Sequence, residues 1–299
     1  MKKVLFFFAV ILGGTFLLLS LLDSSDYVLE KRIWSVQQQF DAMAKDPKVV
    51  PDQKFEDVVI RYRNIIRQYP QSPLTARIYL QIGWTYVLKA DYKKARESFQ
   101  EVIAKYSDSP RVMVQALVNI GNTYEREGDS ANAVKLYQRV ADQYAKTELG
   151  LNMPLYIANY YLRLNKPTEA MTAIQNAVNF YKKVSRENPQ SRTEYNALRL
   201  LVTTYFAQRK WSDGINILSR LLLEYSSREY LTPERANLII KALNTVSITE
   251  MQDYDAPINI YQTFINRNPD HPLNSYLLEV IKSLQLLKDQ KVKISTEKN

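Results

Sequence analysis

Histidine and cysteine, the side chains that most readily supply a base or a nucleophile near neutral pH, are scarce in this chain. It has one histidine, His271, and no cysteine. An imidazole titrates close to neutral pH and could serve as a general acid or base. His271, however, lies between Asp270 and Pro272, two residues typical of turns, which favours a turn or capping role.

The sequence also lacks the patterns that hold phosphates or metal ions. It contains no Gly-rich phosphate loop, no pair of histidines at helical spacing and no cluster of carboxylates with metal-ligand spacing. Glu125, Glu127 and Asp129 come close together, but at a predicted helix end and turn, where solvation explains them. We therefore predict that the protein is not an enzyme and has no catalytic, cofactor-binding or metal-binding residues.

The strongest pattern is a repeat with a period of 38 residues in the middle of the chain. Each copy predicts two helices, the first with an aliphatic residue, a glycine and a tyrosine on one face, and the second with an alanine and an aromatic residue four positions later. The first copy contains Ile82, Gly83, Tyr86, Ala95 and Phe99, and the second contains Ile120, Gly121, Tyr124, Ala133 and Tyr137. A unit of this length cannot bury its apolar face alone, so its neighbours must stack, as in an α-solenoid.

The repeated positions have a direct packing interpretation. Glycine is expected where the two helices of a pair cross most closely, and tyrosine fills the gap one turn later. Alanine allows the second helix to approach, and the large residue that follows it closes the junction with the next pair. Ala158 takes the place of the glycine in a further copy, at looser spacing.

The predicted fold class is all-α. We expect a solenoid of about five to six helix pairs over residues 27–287, whose last helix, Leu273 to Leu287, caps the stack. Residues 288–299 are polar and charged, so we predict a disordered tail. Residues 1–26 are predicted to contain one transmembrane helix that acts as a signal anchor.

The transmembrane helix is predicted from nineteen residues without charge, Val4 to Leu22. As a helix this stretch would span about 29 Å, which matches a hydrocarbon core of about 30 Å. Lys2 and Lys3 precede it, and the positive-inside rule then places the N-terminus in the cytoplasm. The anchor side chains that we single out are Val4, Phe6, Phe7, Phe8, Leu18 and Leu22.

Two other interpretations of the stretch are a cleaved signal peptide and a buried helix. A signal peptide would have an apolar region of about 7–15 residues and a small-x-small cleavage site. This stretch is longer and has no Ala-x-Ala sequence near Leu22. A buried helix fits less well, because the segment around Phe7 has no polar face. Both observations favour an uncleaved anchor.

The chain is basic, with a net charge of +9 and a pI of about 9.4. Its lysines and arginines are spread along the sequence rather than blocked, which is typical of solvated helix faces. Nucleic-acid binding is therefore not predicted. Attraction to an anionic partner or membrane surface is the alternative interpretation of the excess charge.

The repeat positions resemble those of the tetratricopeptide repeat family. The resemblance covers roughly residues 55–270 and is strongest in residues 74–145, with departures at Pro154, Val202 and Gly214. The loops 67–73 and 105–110 look like the inter-repeat loops of bacterial cell-envelope members. An anchor followed by repeats is similar to the layout of inner-membrane proteins with an external repeat domain, some of which assist the translocon.

The resemblance implies a groove that is lined by the first helix of each pair and that often holds a peptide. Carried over to this sequence, the groove residues are Trp84, Asn122, Arg126, Asn159, Arg163 and Arg199. Their amide and guanidinium donors could grip a carboxylate, although Val118 and Thr203 stand where such a clamp has cations. The alternatives are a generic polar groove and an apolar patch around Trp84 that accepts a partner helix.

The predicted function is a membrane-anchored scaffold that binds a protein partner or serves as an accessory subunit of a membrane or envelope complex. We expect it in the bacterial inner membrane, with the N-terminus in the cytoplasm and the repeats in the periplasm. Tethering would raise the effective concentration of the repeats for membrane neighbours. The alternatives are a periplasmic chaperone-like or translocon-associated peptide-binding protein, and a cell-wall-binding envelope protein.

Overall fold

The structure, a computed structural model, describes residues 27–297, with side chains as far as residue 291. Every regular element in this range is a helix, which confirms the all-α class there. None of the helices in the described range combines the length and the apolar character that crossing a bilayer requires. The predicted anchor, Val4 to Leu22, lies outside the described residues and stays a prediction.

The chain forms two compact units, which meet in the sequence between Gly150 and Leu151. The helices of the first unit are α1 (27–45), α2 (Asp52–Gln68), α3 (Thr75–Leu88), α4 (Tyr92–Lys105), α5 (Pro110–Glu127) and α6 (Ser130–Gln143), with a short 3-10 helix at Pro47–Val49. From α2 to α6, each helix packs against the next one in the chain. This is the contact pattern of helix hairpins stacked in sequence order.

The boundary between the units falls inside α7, and the second unit continues from there. Its helices are α7 (Glu148–Arg163), α8 (Pro167–Glu187), α9 (Arg192–Ala207), α10 (Trp211–Tyr225), α11 (Pro233–Thr245), α12 (Asp255–Arg267) and α13 (Asn274–Glu297). A π-helical segment, Val246–Glu250, follows α11 directly. From α8 to α11, and again between α12 and α13, consecutive helices pack against each other.

The turns within the two clearest helix pairs are closed by capping side chains. Asp91 accepts a hydrogen bond from the amide of Lys94 at the start of α4, and Asp129 accepts one from the amide of Asn132 at the start of α6, each at 3.1 Å. Both carboxylates satisfy amides that the first helical turn leaves without a partner. Gly128 ends α5 with φ = 85°, a left-handed conformation that glycine adopts without strain.

The two repeated glycines lie directly beneath an aromatic ring. A Cβ atom placed on Gly83 would come within 2.3 Å of the Phe99 ring, and one placed on Gly121 would come within 2.3 Å of the Tyr137 ring. Both rings are fully buried, together with the alanine four positions before each. Each ring therefore packs inside its own helix pair, whereas the sequence analysis placed it at the junction with the next pair.

A buried carboxylate organises the turn between α8 and α9. Glu194 is only 2 % exposed. It accepts hydrogen bonds from the Ser185 hydroxyl at 3.0 Å and from the Arg220 guanidinium at 2.8 Å. The amide of Gln190 and the hydroxyl of Tyr225 are two further donors to it. Burial acts to raise the pKa of Glu194, but these hydrogen bonds and the charge of Arg220 outweigh it and hold the pKa below its ordinary value.

The C-terminal segment differs from its prediction. The sequence predicts a disordered tail from residue 288, but α13 continues to Glu297. Lys288 pairs with Asp255 at 2.7 Å, and the ammonium group of Lys291 lies 2.9 Å from the side-chain oxygen of Gln252. These contacts attach one helical turn, residues 288–291, to the start of α12 and to the loop before it, which a charge-rich composition does not reveal.

Candidate partner-binding cleft

The most exposed aromatic side chains of the described first unit lie in a cleft beside α1. The cleft has a volume of about 560 Å³ and is formed by α1 and the beginning of α3. We call it the tryptophan cleft, and its principal lining residues are Tyr27, Ile33, Trp34, Gln37, Leu74 and Arg77. Trp34 is 60 % exposed and Tyr27 is 65 % exposed.

The position of Trp34 on α1 explains its exposure. Leu29, Val36 and Met43 recur every seven residues and are all buried, so they define the side of α1 that faces the core. Trp34 stands two residues before Val36, a rotation of about 200° around a helix, and so lies nearly opposite that side. An indole left in solvent is a frequent anchor of protein interfaces.

The charges in the tryptophan cleft are mixed. Lys31 and Arg77 supply two positive charges among its lining residues, and Glu30 supplies one negative charge. An arginine fork can bind a carboxylate with two parallel hydrogen bonds. The cleft therefore suits a segment that combines an apolar side chain with an acidic one.

The three predicted groove residues of the first unit differ in how far their side chains are free to contact a partner. Trp84 is half-buried and meets the Phe99 ring edge-on, with ring centroids 6.1 Å apart, so much of its indole belongs to the packing of α3 on α4. Asn122 is half-buried, and its side-chain oxygen accepts a hydrogen bond from the Tyr137 hydroxyl at 2.8 Å. Arg126 is exposed.

The other three predicted groove residues, Asn159, Arg163 and Arg199, belong to the second unit and are exposed. The guanidinium group of Arg163 lies over the rings of Tyr156 and Tyr160, at 5.3 and 5.6 Å from their centroids. Arg199 lies over the ring of Tyr195 at 5.9 Å. The predicted set is thus divided equally between the units, and a carboxylate clamp made from it stays a prediction.

The Asn122 contact leads to a prediction about stability. Asn122→Ala removes a hydrogen bond of 2.8 Å to the buried Tyr137 hydroxyl, so we expect a loss of about 1 kcal/mol in the free energy of unfolding. Asn159→Ala, at an exposed position, is the matched control and should change this free energy by less than about 0.5 kcal/mol. Chemical denaturation of both variants measures the difference. Equal effects of the two changes would contradict the structural role of Asn122.

No group of three or more acidic or histidine side chains that could hold a metal ion occurs among residues 27–291. His271 lies at the turn before α13, where its ring nitrogen accepts a hydrogen bond from the amide of Leu273 at 3.1 Å. Its ring meets Phe264 edge-on, with centroids 5.0 Å apart. The side chain therefore has a structural role in this turn.

Comparisons with known proteins identify two segments of the chain that match a repeat family. Residues 78–109 and 115–147 match the family model of the tetratricopeptide repeat. No curated protein matches the chain. Similar solved structures include BtubC from P. vanneervenii, with 13 % identity, 87 % of this chain and 91 % of that chain covered and a TM-score of 0.35. A second similar structure is a tetratricopeptide repeat protein from Parabacteroides merdae, with 12 % identity. The match covers 86 % of this chain and 98 % of that chain, and the TM-score is 0.33.

A third similar structure is the TPR2AB domain of yeast Sti1 in complex with pHSP90. It has 11 % identity, 87 % of this chain and 99 % of that chain are covered, and the TM-score is 0.36. The two segments that match the family model cover most of the pair α3–α4 and the pair α5–α6. Residues 78–109 and 115–147 are therefore similar to two tandem tetratricopeptide repeats.

Proposed function

We propose that this protein is a membrane-anchored tetratricopeptide-repeat scaffold that binds a protein partner through the tryptophan cleft. The observation that carries the proposal is the 60 % exposure of Trp34 in a cleft next to two tandem repeats. Repeats of this kind suit protein interaction because they stack into extended surfaces. The uncharged stretch Val4 to Leu22 supports attachment to the bacterial inner membrane, with the repeats on the periplasmic side.

Site-specific photo-crosslinking of the full-length chain in cells tests the partner-binding site. A photoreactive phenylalanine analogue at position 34 should give one dominant adduct with a membrane or envelope protein. The same analogue at Gln100, an exposed residue of α4, is the control and should give none. Adducts of equal yield at both positions would show that the tryptophan cleft is not the binding site.

Affinity for the crosslinked partner gives the second measurement. Trp34→Ala should weaken binding by about thirtyfold, because a central tryptophan contributes about 2 kcal/mol or more to an interface. The matched control is Leu238→Ala, which removes a side chain that is 65 % exposed in the second unit. Leu238→Ala should leave the affinity unchanged. If Trp34→Ala also leaves the affinity unchanged, the tryptophan cleft is not the binding site.

Other experimental results would favour one of the two alternative functions or would contradict the predicted membrane topology. Many weak adducts at position 34 with unrelated exported proteins would favour a chaperone-like or translocon-associated role. Co-sedimentation of the purified chain with peptidoglycan would favour a cell-wall-binding protein. A reporter fused after residue 60 that is active only in the cytoplasm would overturn the proposed topology.

A further inference from the structure

A second cleft, on the other flank of α1, is lined by basic side chains. It has a volume of about 550 Å³ and lies between α1 and α2. Its cations are Lys31, Arg32 and Arg61, and its apolar floor is formed by Val28, Val36 and Ile65. None of the described residues that line it is acidic. We call this site the basic cleft.

Two of the three cations are oriented by neutral partners. The guanidinium group of Arg61 donates a hydrogen bond to the Ser35 hydroxyl at 3.0 Å. Arg32 donates to the side-chain oxygen of Gln68 and lies over the Tyr69 ring, 6.0 Å from its centroid. These partners carry no charge, so the contacts hold the guanidinium groups in place without cancelling their positive charge.

The sequence before α1 fixes how far this cleft can lie from the predicted anchor. Four residues, 23–26, separate Leu22 from Tyr27. A fully extended chain of this length covers at most about 18 Å. The headgroup layer adds about 5–7 Å to each side of the hydrocarbon core, and the potential of anionic lipids extends about 8 Å further. Cations in the first two turns of α1 can therefore reach the charged lipid surface without stretching the linker.

We propose that the basic cleft docks on the headgroups of anionic phospholipids and holds α1 against the bilayer. The inference rests on the proposed anchor. Lys and Arg heads would meet lipid phosphates, while the apolar floor accepts the glycerol and first methylene groups. Docking of this flank leaves Trp34, which lines the tryptophan cleft and not the basic cleft, for the protein partner.

The test measures the distance between the basic cleft and lipid headgroups in the full-length chain. The chain has no cysteine, so Ile60→Cys at an exposed position of α2 provides a single site for a fluorophore. The chain is reconstituted into nanodiscs whose lipids carry a headgroup nitroxide quencher. We expect strong quenching in discs rich in phosphatidylglycerol, weak quenching in phosphatidylcholine alone, and a loss of the difference at high salt.

The charge variant is Arg32→Gln and Arg61→Gln together, because Lys31 also lines the tryptophan cleft. Each cation near an anionic surface changes the docking equilibrium roughly fivefold, so the double change should shift it by about twenty-five-fold. The matched control removes two exposed lysines elsewhere in the first unit, Lys93 and Lys135, and should keep the quenching. A fluorophore at Ala131→Cys, an exposed site on α6, should be quenched equally in both lipids.

The outcomes separate this inference from the proposed function. A chain that inserts into nanodiscs but shows the same quenching at position 60 in both lipids overturns the docking, while the anchor and the Trp34 site stand. In that case the cations would be available to an acidic protein partner. A chain that does not insert overturns both the anchor and the docking. Crosslinking at Trp34 is a separate readout, because it requires a protein partner rather than a lipid.

Discussion

Replacing Glu194 with alanine is expected to lower the free energy of unfolding of the second unit by about 2–3 kcal/mol. The carboxylate is 2 % exposed and accepts hydrogen bonds from four groups on α8, the α8–α9 turn and α10. Its removal leaves the Tyr225 hydroxyl without this acceptor, while the Arg220 guanidinium, 36 % exposed, keeps its pairing with Glu224 at 2.8 Å. The loss comes mainly from the buried hydroxyl, amide and serine donors that keep their burial cost without a hydrogen bond.

Hydrogen exchange of the α9 and α10 amides in the full-length chain measures this effect in the unit concerned. The matched control is Glu187→Ala, which removes an exposed carboxylate that pairs with Lys183 at 3.9 Å on the surface of α8. This exposed pair is worth about 0–1 kcal/mol, so protection should hardly change. Similar protection in the Glu194→Ala variant and the wild type would show that the hydrogen-bond network contributes no stability.

The pH dependence of the same unit follows from the lowered pKa of Glu194. Because the pKa is lower in the folded than in the unfolded state, the ionised carboxylate stabilises the fold fully above the unfolded value, about 4.3. That stability is lost as the pH falls through the folded pKa. Glu194→Gln has no such titration, so its stability should decline less steeply in acid than that of the wild type.

The sequence predicts the repeated part of this chain well because its packing is local. Gly83 and Phe99 lie sixteen residues apart, in consecutive helices joined by a short turn. The contact between them recurs as Gly121 with Tyr137, so the spacing alone reveals it. Asp91 and Asp129 mark the helix starts in the same way, since an N-cap acts within its own turn.

The features that the sequence analysis missed depend on contacts between residues far apart in the chain. A glutamate in the first turn of a helix is ordinarily solvated, and the burial of Glu194 follows from Arg220 and Tyr225, 26 and 31 residues away. The helical end of α13 likewise depends on the pairing of Lys288 with Asp255. These pairings follow no period and no motif.

The tryptophan cleft could be predicted from the sequence only in part. The spacing of Leu29, Val36 and Met43 is visible in the sequence and would have placed Trp34 on the opposite side of α1. The wall formed by Leu74 and Arg77 is not visible, because it depends on how α3 packs beside α1. The family resemblance directed attention to Asn122 instead, whose side-chain oxygen is already bonded to Tyr137.

Replacing Gly83 with valine is expected to destabilise the first unit by about 3 kcal/mol. The new Cβ would lie 2.3 Å from the Phe99 ring, which is completely buried. Either the ring leaves its rotamer or α3 moves away from α4, and both cost packing energy. The gain in helix propensity over glycine, less than about 0.5 kcal/mol, offsets little of this loss.

A double-mutant cycle with Phe99→Leu distinguishes this overlap from a general weakening of the helix pair. The smaller side chain makes room at the glycine, so Gly83→Val and Phe99→Leu together should cost at least about 1 kcal/mol less than the sum of the single changes. Gly121 and Tyr137 repeat the same contact, so Gly121→Val should behave in the same way. Additive free energies at Gly83 would contradict the expectation, because they would mean that the ring and the new side chain do not compete for one space.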